Sequence, residues 1–215
     1  MKIIDILREY EIDYKQKKVK KPPVVPGDTE KFKRLGSGYF SVVGVSDDSP
    51  QDVVKVNMYG DLKDGYNAFV KALIDNERAR NSVLFPRIRS VRELKTPEDE
   101  YPRLLVRMER LEPLFNLGIE ELRHMVARYT SAKVEDLEYN NDKFDMINLF
   151  VDIIRGDSLV SAKVTDTKLK NAIQWLQEIA QEEKFFFDLH SENMMVRRTP
   201  YGPQLVLSDP LGLSR

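Results

Sequence analysis

The sequence predicts an α+β fold in two parts, rich in strands first and in helices afterwards. Three observations predict it. Residues 32–45, FKRLGSGYFSVVGV, and 52–56, DVVKV, are short apolar runs around paired glycines, the pattern of strands joined by a tight turn. Two further runs, RIRSVREL at 87–94 and YPRLLVRMERL at 101–111, read as strands connected by the charged turn KTPEDE. Beyond residue 112 the apolar positions recur at helical spacing near 118–130, 142–155 and 166–183, which marks amphipathic helices.

Taken in order, residues 2–14 place Ile3, Ile6, Leu7 and Tyr10 on one side of a short amphipathic helix. KQKKVKK at 15–21 holds five lysines in seven positions and reads as a solvated linker, the sharper reading being a site for an acidic partner or nucleic acid. PPVVPGD at 22–28 cannot continue a helix, because proline lacks the amide donor and fixes φ. The main domain is expected from about residue 29. A helix is expected over 64–81, with Tyr66, Phe69, Val70, Leu73 and Ile74 as its apolar face. In the helix over 166–183, Leu169, Ile173, Trp175, Leu176 and Ile179 cover one side, and Trp175 reads as core. The expected organisation is 1–28 as helix and basic linker, 29–111 as the strand-rich part and 112–215 as the helical part.

Composition removes several classes of function. A chain of 215 residues with 41% hydrophobic residues can bury a core. The 34 basic and 35 acidic residues nearly cancel, which argues against a general nucleic-acid coat. No cysteine is present, so disulfides, zinc ribbons and thiol nucleophiles drop out. Two histidines are too few for a His-rich metal site. The first residues carry charges within their apolar pattern and do not read as a signal peptide. No run of about 18 apolar residues suggests a membrane span. A soluble intracellular protein is expected.

The chemistry concentrates in residues 185–209, FFFDLHSENMMVRRTPYGPQLVLSD. Phe185–Phe187 leads into Asp188, Asn193 follows, and Leu205–Leu207 delivers Ser208 and Asp209. Two short strands bracketing a turn are expected to bring Asp188, Asn193 and Asp209 to one end of a hairpin. Two acids and an amide offer oxygen ligands, which suit Mg²⁺ and phosphate oxygens. Phosphoryl transfer needs a carboxylate to orient the attacking hydroxyl, with an Asn and an Asp to hold metal. Upstream, Gly36 and Gly38 let a backbone approach a phosphate that a side chain would block; a plain hairpin turn is the other reading. Lys55 sits in an otherwise apolar strand and needs a charged partner there.

Residues about 32–212 resemble a protein kinase of reduced size. They are most similar to the early serine/threonine protein kinases of short-tailed bacteriophages of the Autographiviridae type. The motifs that carry the resemblance are LGSGYFSVV at 35–43, VVKV at 53–56, FFFDLHSENMMV at 185–196 and LSDPLG at 207–212. The resemblance implies a two-lobed, protein-kinase-like fold: an N-lobe of antiparallel sheet plus one helix, and a truncated, mostly helical C-lobe. It implies Asp188 as the catalytic aspartate, Asn193 and Asp209 as Mg²⁺ ligands and Lys55 as the phosphate-binding lysine. Gly36, Ser37, Gly38 and Ser41 take the place of the phosphate cover, with Ser41 where a third glycine usually stands. Glu77 is the candidate partner of Lys55, a simple surface acid being the other reading. Val106, Met108 and Leu111 are expected near the adenine, with Met108, Glu109 and Leu111 in the hinge whose backbone bonds the purine edge. His190 stands where a lysine is usual; it either donates to the γ-phosphate as a cation or stays neutral and holds the loop.

The chain also departs from the pattern. Phe186-Phe187 replace the usual His-Arg before the catalytic aspartate, so no activation-loop phosphorylation switch is expected. Pro210-Leu211 stand where the metal loop usually has Phe. The sequence ends at Arg215, so no activation segment is expected either. The leading expectation is an ATP- and Mg²⁺-dependent kinase of Ser/Thr in host bacterial proteins, including RNA polymerase or RNA-processing enzymes, acting in the cytoplasm of the infected host. No direct nucleic-acid partner is expected. A pseudokinase that binds and inhibits a host protein is the second reading. The third is an aminoglycoside-type small-molecule kinase, with Glu112, Glu120, Glu121, Asp136 and Glu138 supplying an acidic pocket.

Overall fold

A computed structural model describes residues 32–37, 41–46, 49–57, 63–94, 100–139, 141–156 and 161–214. The expected N-terminal helix, lysine run and proline segment lie outside the described residues, as do Gly38, Phe40 and most of the 95–100 turn. The protein is α+β, with antiparallel sheets and, among the described residues, six α-helices. It divides into two compact units. One comprises Met1–Lys63 and Arg87–Arg110, the other Asp64–Pro86 and Leu111–Arg215. The helical segment 64–86, expected within the strand-rich part, groups with the second unit.

The first unit is a five-stranded antiparallel sheet. Its strands are β1 (Phe32–Ser37), β2 (Ser41–Ser46), β3 (Ser49–Asn57), β4 (Ile88–Leu94) and β5 (Arg103–Glu109), in the order β1-β2-β3-β5-β4. β-Branched residues dominate β2 and the second half of β3 and suit a pleated, packed surface. Asp52 to Asn57 are all buried, as are Leu104 and Val106 on β5. Register then fixes which side chains share a face, because directly paired residues lie on the same side and the side alternates along each strand.

The second unit holds α1 (Gly65–Asp75), α2 (Glu77–Arg80), α3 (Ile119–Tyr129), α4 (Val134–Leu137), α5 (Lys143–Arg155) and α6 (Thr167–Glu183). The three later long helices fall where the periodicity places them. Two of them start on an aspartate: Asp142 accepts from the N–H groups of Phe144 and Asp145, and Asp166 accepts from Leu169 N. Such side chains satisfy amide donors that the first turn leaves open. α5 ends on Gly156 in the left-handed conformation, at φ 75°, which glycine adopts without a Cβ penalty. The expected helix over 64–81 is interrupted at Asn76. Its extended backbone ends α1, and its side chain accepts from Ala79 N to start α2.

Phe69, Leu73, Leu122, Met125, Phe150, Leu169, Leu176 and Leu205 form the core of this unit. Phe69, Phe85 and Trp175 meet ring to ring at 5.1–6.4 Å. Two small sheets complete it. β6 (Glu112–Pro113), β8 (Met194–Thr199) and β9 (Gly202–Leu207) form one, and β7 (Phe185–Phe187) with β10 (Leu211–Ser214) the other. Buried Arg197 ties the hairpin to the segment after α2, donating to the carbonyls of Val83 and Phe85 and to the Gln204 amide oxygen.

Candidate functional site

The expected hairpin forms with a different partner. Phe185–Phe187 and Leu205–Leu207 are not its two arms. β9 pairs instead with β8, Met194 opposite Leu207, while β7 pairs antiparallel with β10. A three-residue run has too few ladder bonds to announce its partner, and Met194–Thr199, with two arginines in it, reads as a strand only once its pairing with β9 is seen. The three candidate residues nevertheless come to one place. Asn193 directly precedes β8, and Ser208 and Asp209 directly follow β9, at the same open end. Ser208 donates to the Asn193 carbonyl through both its N–H (2.9 Å) and its hydroxyl (3.2 Å).

Asp188 joins them through two bonds. Its N–H donates to Pro210 O at 2.9 Å, and its carbonyl accepts from Asn193 Nδ2 at 2.8 Å. Asn193 is buried, and with Nδ2 so engaged its Oδ1 is the atom left with lone pairs to offer. The Asp188 side chain is half exposed. Carboxylates and an amide oxygen are hard donors, of the kind that suits Mg²⁺ better than a softer metal. Among the described residues no group of three or more His, Cys, Asp or Glu gathers; the third oxygen of this set belongs to an amide.

His190 sits inside the loop. Glu192 N–H donates to its Nδ1 at 3.3 Å, Nε2 lies 2.9 Å from Asn193 Nδ2, and Asp188 Oδ2 is 3.7 Å from Nε2. A neutral imidazole has one acceptor nitrogen, so the tautomer chooses which neighbour the ring accepts from. Either way these neighbours are residues of the loop itself.

Gly212 and Gly65 explain how closely the loop is packed. A Cβ on Gly212 would lie 3.3 Å from Asp188 Cβ and 3.6 Å from its Oδ2. A Cβ on Gly65 would lie 2.6 Å from Leu211 O and closer still to Gly212 O. The first turn of α1 therefore rests directly on the strand after Asp209, where Asp64 also bridges Leu213. Tyr66, the next residue, is fully buried. Burial pushes its phenol well above the ordinary value, and the charges of Asp209 and Asp64 push it further. Gly65 and Tyr66 were not singled out in the sequence for this role. The signal was a glycine directly after the capping Asp64 of a helix, a place where a small residue marks close approach.

The first unit carries the other expected residues. Lys55 is buried. It pairs with Val43 on β2 and Val106 on β5. Alternation then puts Ser41, Val53, Met108 and Gly36 on the same face, with Gly36 opposite Val43. Gly36 and Ser37 belong to β1 itself rather than to a free loop. Glu109 lies on the opposite face from Lys55, and its carboxylate accepts from Arg87 N at 2.8 Å. Its N–H donates to Arg87 O, and Arg110 N–H donates to Gln51 O. Both donors are thus spent within the first unit. Glu77, in the second unit, is exposed and begins α2. Leu111 begins the second unit's later segment.

No family model matches the chain, and no curated protein matches it. No helix among the described residues is long and apolar enough to cross a membrane.

Proposed function

We propose that this chain is an ATP- and Mg²⁺-dependent protein kinase, of the kind its motifs resemble, that phosphorylates Ser or Thr in bacterial host proteins during phage infection. The observation that carries the reading is the convergence of Asp188, Asn193 and Asp209 at one end of the β8/β9 hairpin. The two-lobed kinase-like fold is part of the same proposal, as are the host's transcription and RNA-processing proteins as targets and the host cytoplasm as the setting.

In this reading each residue has a stated task. Asp188, half exposed, accepts a hydrogen bond from the substrate hydroxyl and aligns it for attack. Asn193 Oδ1 and the Asp209 carboxylate hold Mg²⁺, which when bound neutralises phosphate charge. Lys55, buried in the sheet, supplies a fixed cation for phosphate oxygens, with Ser41 and Met108 on its face beside it. His190 keeps the loop in shape. The small-molecule alternative is less favoured by the ion pairs. Of the acids assigned to its pocket, Glu112 and Glu121 pair with Arg198, and Glu120 pairs with Arg123.

The test is incubation of the purified protein with radiolabelled ATP and Mg²⁺, with and without bacterial extract, beside Asp188→Ala. Label on the protein or on extract proteins, lost in Asp188→Ala, is the expected result. No transfer in any lane overturns the kinase reading and leaves the binding-protein alternative; label on an aminoglycoside alone favours the small-molecule one.

A further inference from the structure

Three successive carbonyls of one short segment are taken by the β8/β9 hairpin. Arg197 on β8 donates from Nη1 to Val83 O at 2.6 Å and from Nη2 to Phe85 O at 3.0 Å. Between them, Leu207 N–H on β9 donates to Leu84 O at 2.8 Å. The segment 83–85 is itself anchored. Ser82 Oγ accepts from Leu84 N, and the Phe85 ring lies 5.1 Å from Trp175 of α6 and 5.6 Å from Phe69 of α1. Arg197 is 7% exposed, and burying a guanidinium is costly unless its donors are used. An apolar side chain such as that of neighbouring Val196 would fill space at no such cost. Arginine adds a rigid planar fork, whose donors reach two carbonyls at once. Gln204, directly opposite on β9, accepts from Nη1 at 3.2 Å and so joins the fork to the second strand.

Both strands lead from these bonds to the candidate metal residues. On β9, Leu207 is followed by Ser208, whose N–H and hydroxyl both donate to Asn193 O, and then by Asp209. On β8, Arg197 belongs to the strand that Asn193 directly precedes. We infer that Arg197 is a positioning residue: its fork locks the β8/β9 hairpin onto the segment 83–85, and that lock sets where Asn193 and Asp209 stand. The assignment rests on the phosphotransfer reading above. It makes the segment after α2 part of the metal loop's support. Removing an outer support of a metal site typically changes metal affinity by roughly 10–100-fold.

The experiment uses the full chain with equimolar AMP-PNP and titrates Mn²⁺ by electron paramagnetic resonance, subtracting the Mn²⁺ that AMP-PNP holds alone. Arg197→Lys keeps the charge and loses the fork; the expected result is a Mn²⁺ dissociation constant raised roughly 10-fold. Leu137→Ala truncates a buried side chain on α4 and separates position from stability. It is expected to lower the melting temperature and keep wild-type Mn²⁺ affinity. Wild-type affinity in Arg197→Lys, or an equal loss in Leu137→Ala, overturns the inference alone. Amide hydrogen exchange without metal gives a second reading. In Arg197→Lys the N–H groups of Leu207 and Ser208 are expected to exchange roughly 10-fold faster, while those of Val151 to Ile154 on α5 hold their rates. Equal acceleration in both places assigns Arg197 to stability as a whole and overturns the role. Should Arg197→Lys not fold, Gln204→Met decides, since it removes one acceptor of the fork. A dissociation constant raised about 3-fold or more supports the inference, and wild-type affinity overturns it. Failure of the wild type to bind Mn²⁺ beyond AMP-PNP alone overturns the phosphotransfer reading and this inference with it.

Discussion

At the scale of single residues, the proposed phosphotransfer finds its sharpest tests in Asp188 and Gly212. A carboxylate that aligns a hydroxyl contributes through its position as much as through its charge. Asp188→Ala is expected to lower phosphate transfer by about 10²–10⁴-fold while the melting temperature holds, read by initial rates beside a thermal scan. Gly212→Ala is the subtler change. The new methyl group falls 3.3 Å from Asp188 Cβ, so the aspartate must shift by a few tenths of an ångström. Turnover is expected to fall roughly ten-fold with the KM for ATP little changed; unchanged turnover would sink this account of Gly212. Asp188, Asn193 and Asp209 were legible as candidates in the sequence because few residue types offer such oxygen ligands. Gly65 and Tyr66 were not. Their role depends on a strand more than 140 residues later in the sequence, and no local pattern encodes that contact.

Among the elements, helix starts carry the sharpest consequences. Gly65→Ala forces α1 off the carbonyls of Leu211 and Gly212. Overpacking of this kind costs about 1–3 kcal/mol, and here the backbone carbonyls give less than a side chain would. A lowered denaturation midpoint is expected, together with weakened metal binding, since the strand displaced is the one after Asp209. At the start of α3, Glu121 accepts from Gly118 N at 2.9 Å and pairs with Arg198 at 2.5 Å. The Gly118 N–H, more than Arg198, holds its carboxyl below the ordinary value of 4.5. A carboxyl lowered on folding stabilises the protein above its unfolded value and loses that contribution as pH falls through the folded value. The melting temperature of the wild type is therefore expected to exceed that of Glu121→Gln at pH 7, and the gap to close as pH drops below 4.5. A gap that persists at lower pH would assign the effect to packing instead. The periodicity found α3, α5 and α6 because an amphipathic stripe needs only its own sequence. It missed the break at Asn76, because nothing in the charged run ERAR marks a stop and only the cap geometry ends α1.

On the scale of the whole chain, connectivity matters more than any single element. The chain passes from one unit to the other after Lys63, after Pro86 and after Arg110. β3 and β4 flank β5, each antiparallel to it, so they run parallel to each other. A parallel connection needs a crossover of a dozen or more residues, and the segment with α1 and α2 supplies it from within the second unit. A fragment 1–110 thus keeps every strand of the five-stranded sheet and also keeps α1 without its partners. Tyr66, Phe69, Val70 and Leu73 lose β10 and α6, including the Trp175 ring 6.4 Å from Phe69. Each such side chain is worth about 1.5–3 kcal/mol of burial, and the four together are comparable with the 5–15 kcal/mol stability typical of a folded domain. The fragment 1–110 is expected to bind ANS and unfold without a cooperative transition. Replacing 64–86 in it by a Gly/Ser linker of about a dozen residues removes the orphaned apolar face and is expected to lower ANS binding and sharpen the transition. Cooperative unfolding of the unaltered 1–110 fragment, without ANS binding, would mean that α1 is packed by the sheet unit alone and that the division of the chain at residues 64–86 is wrong.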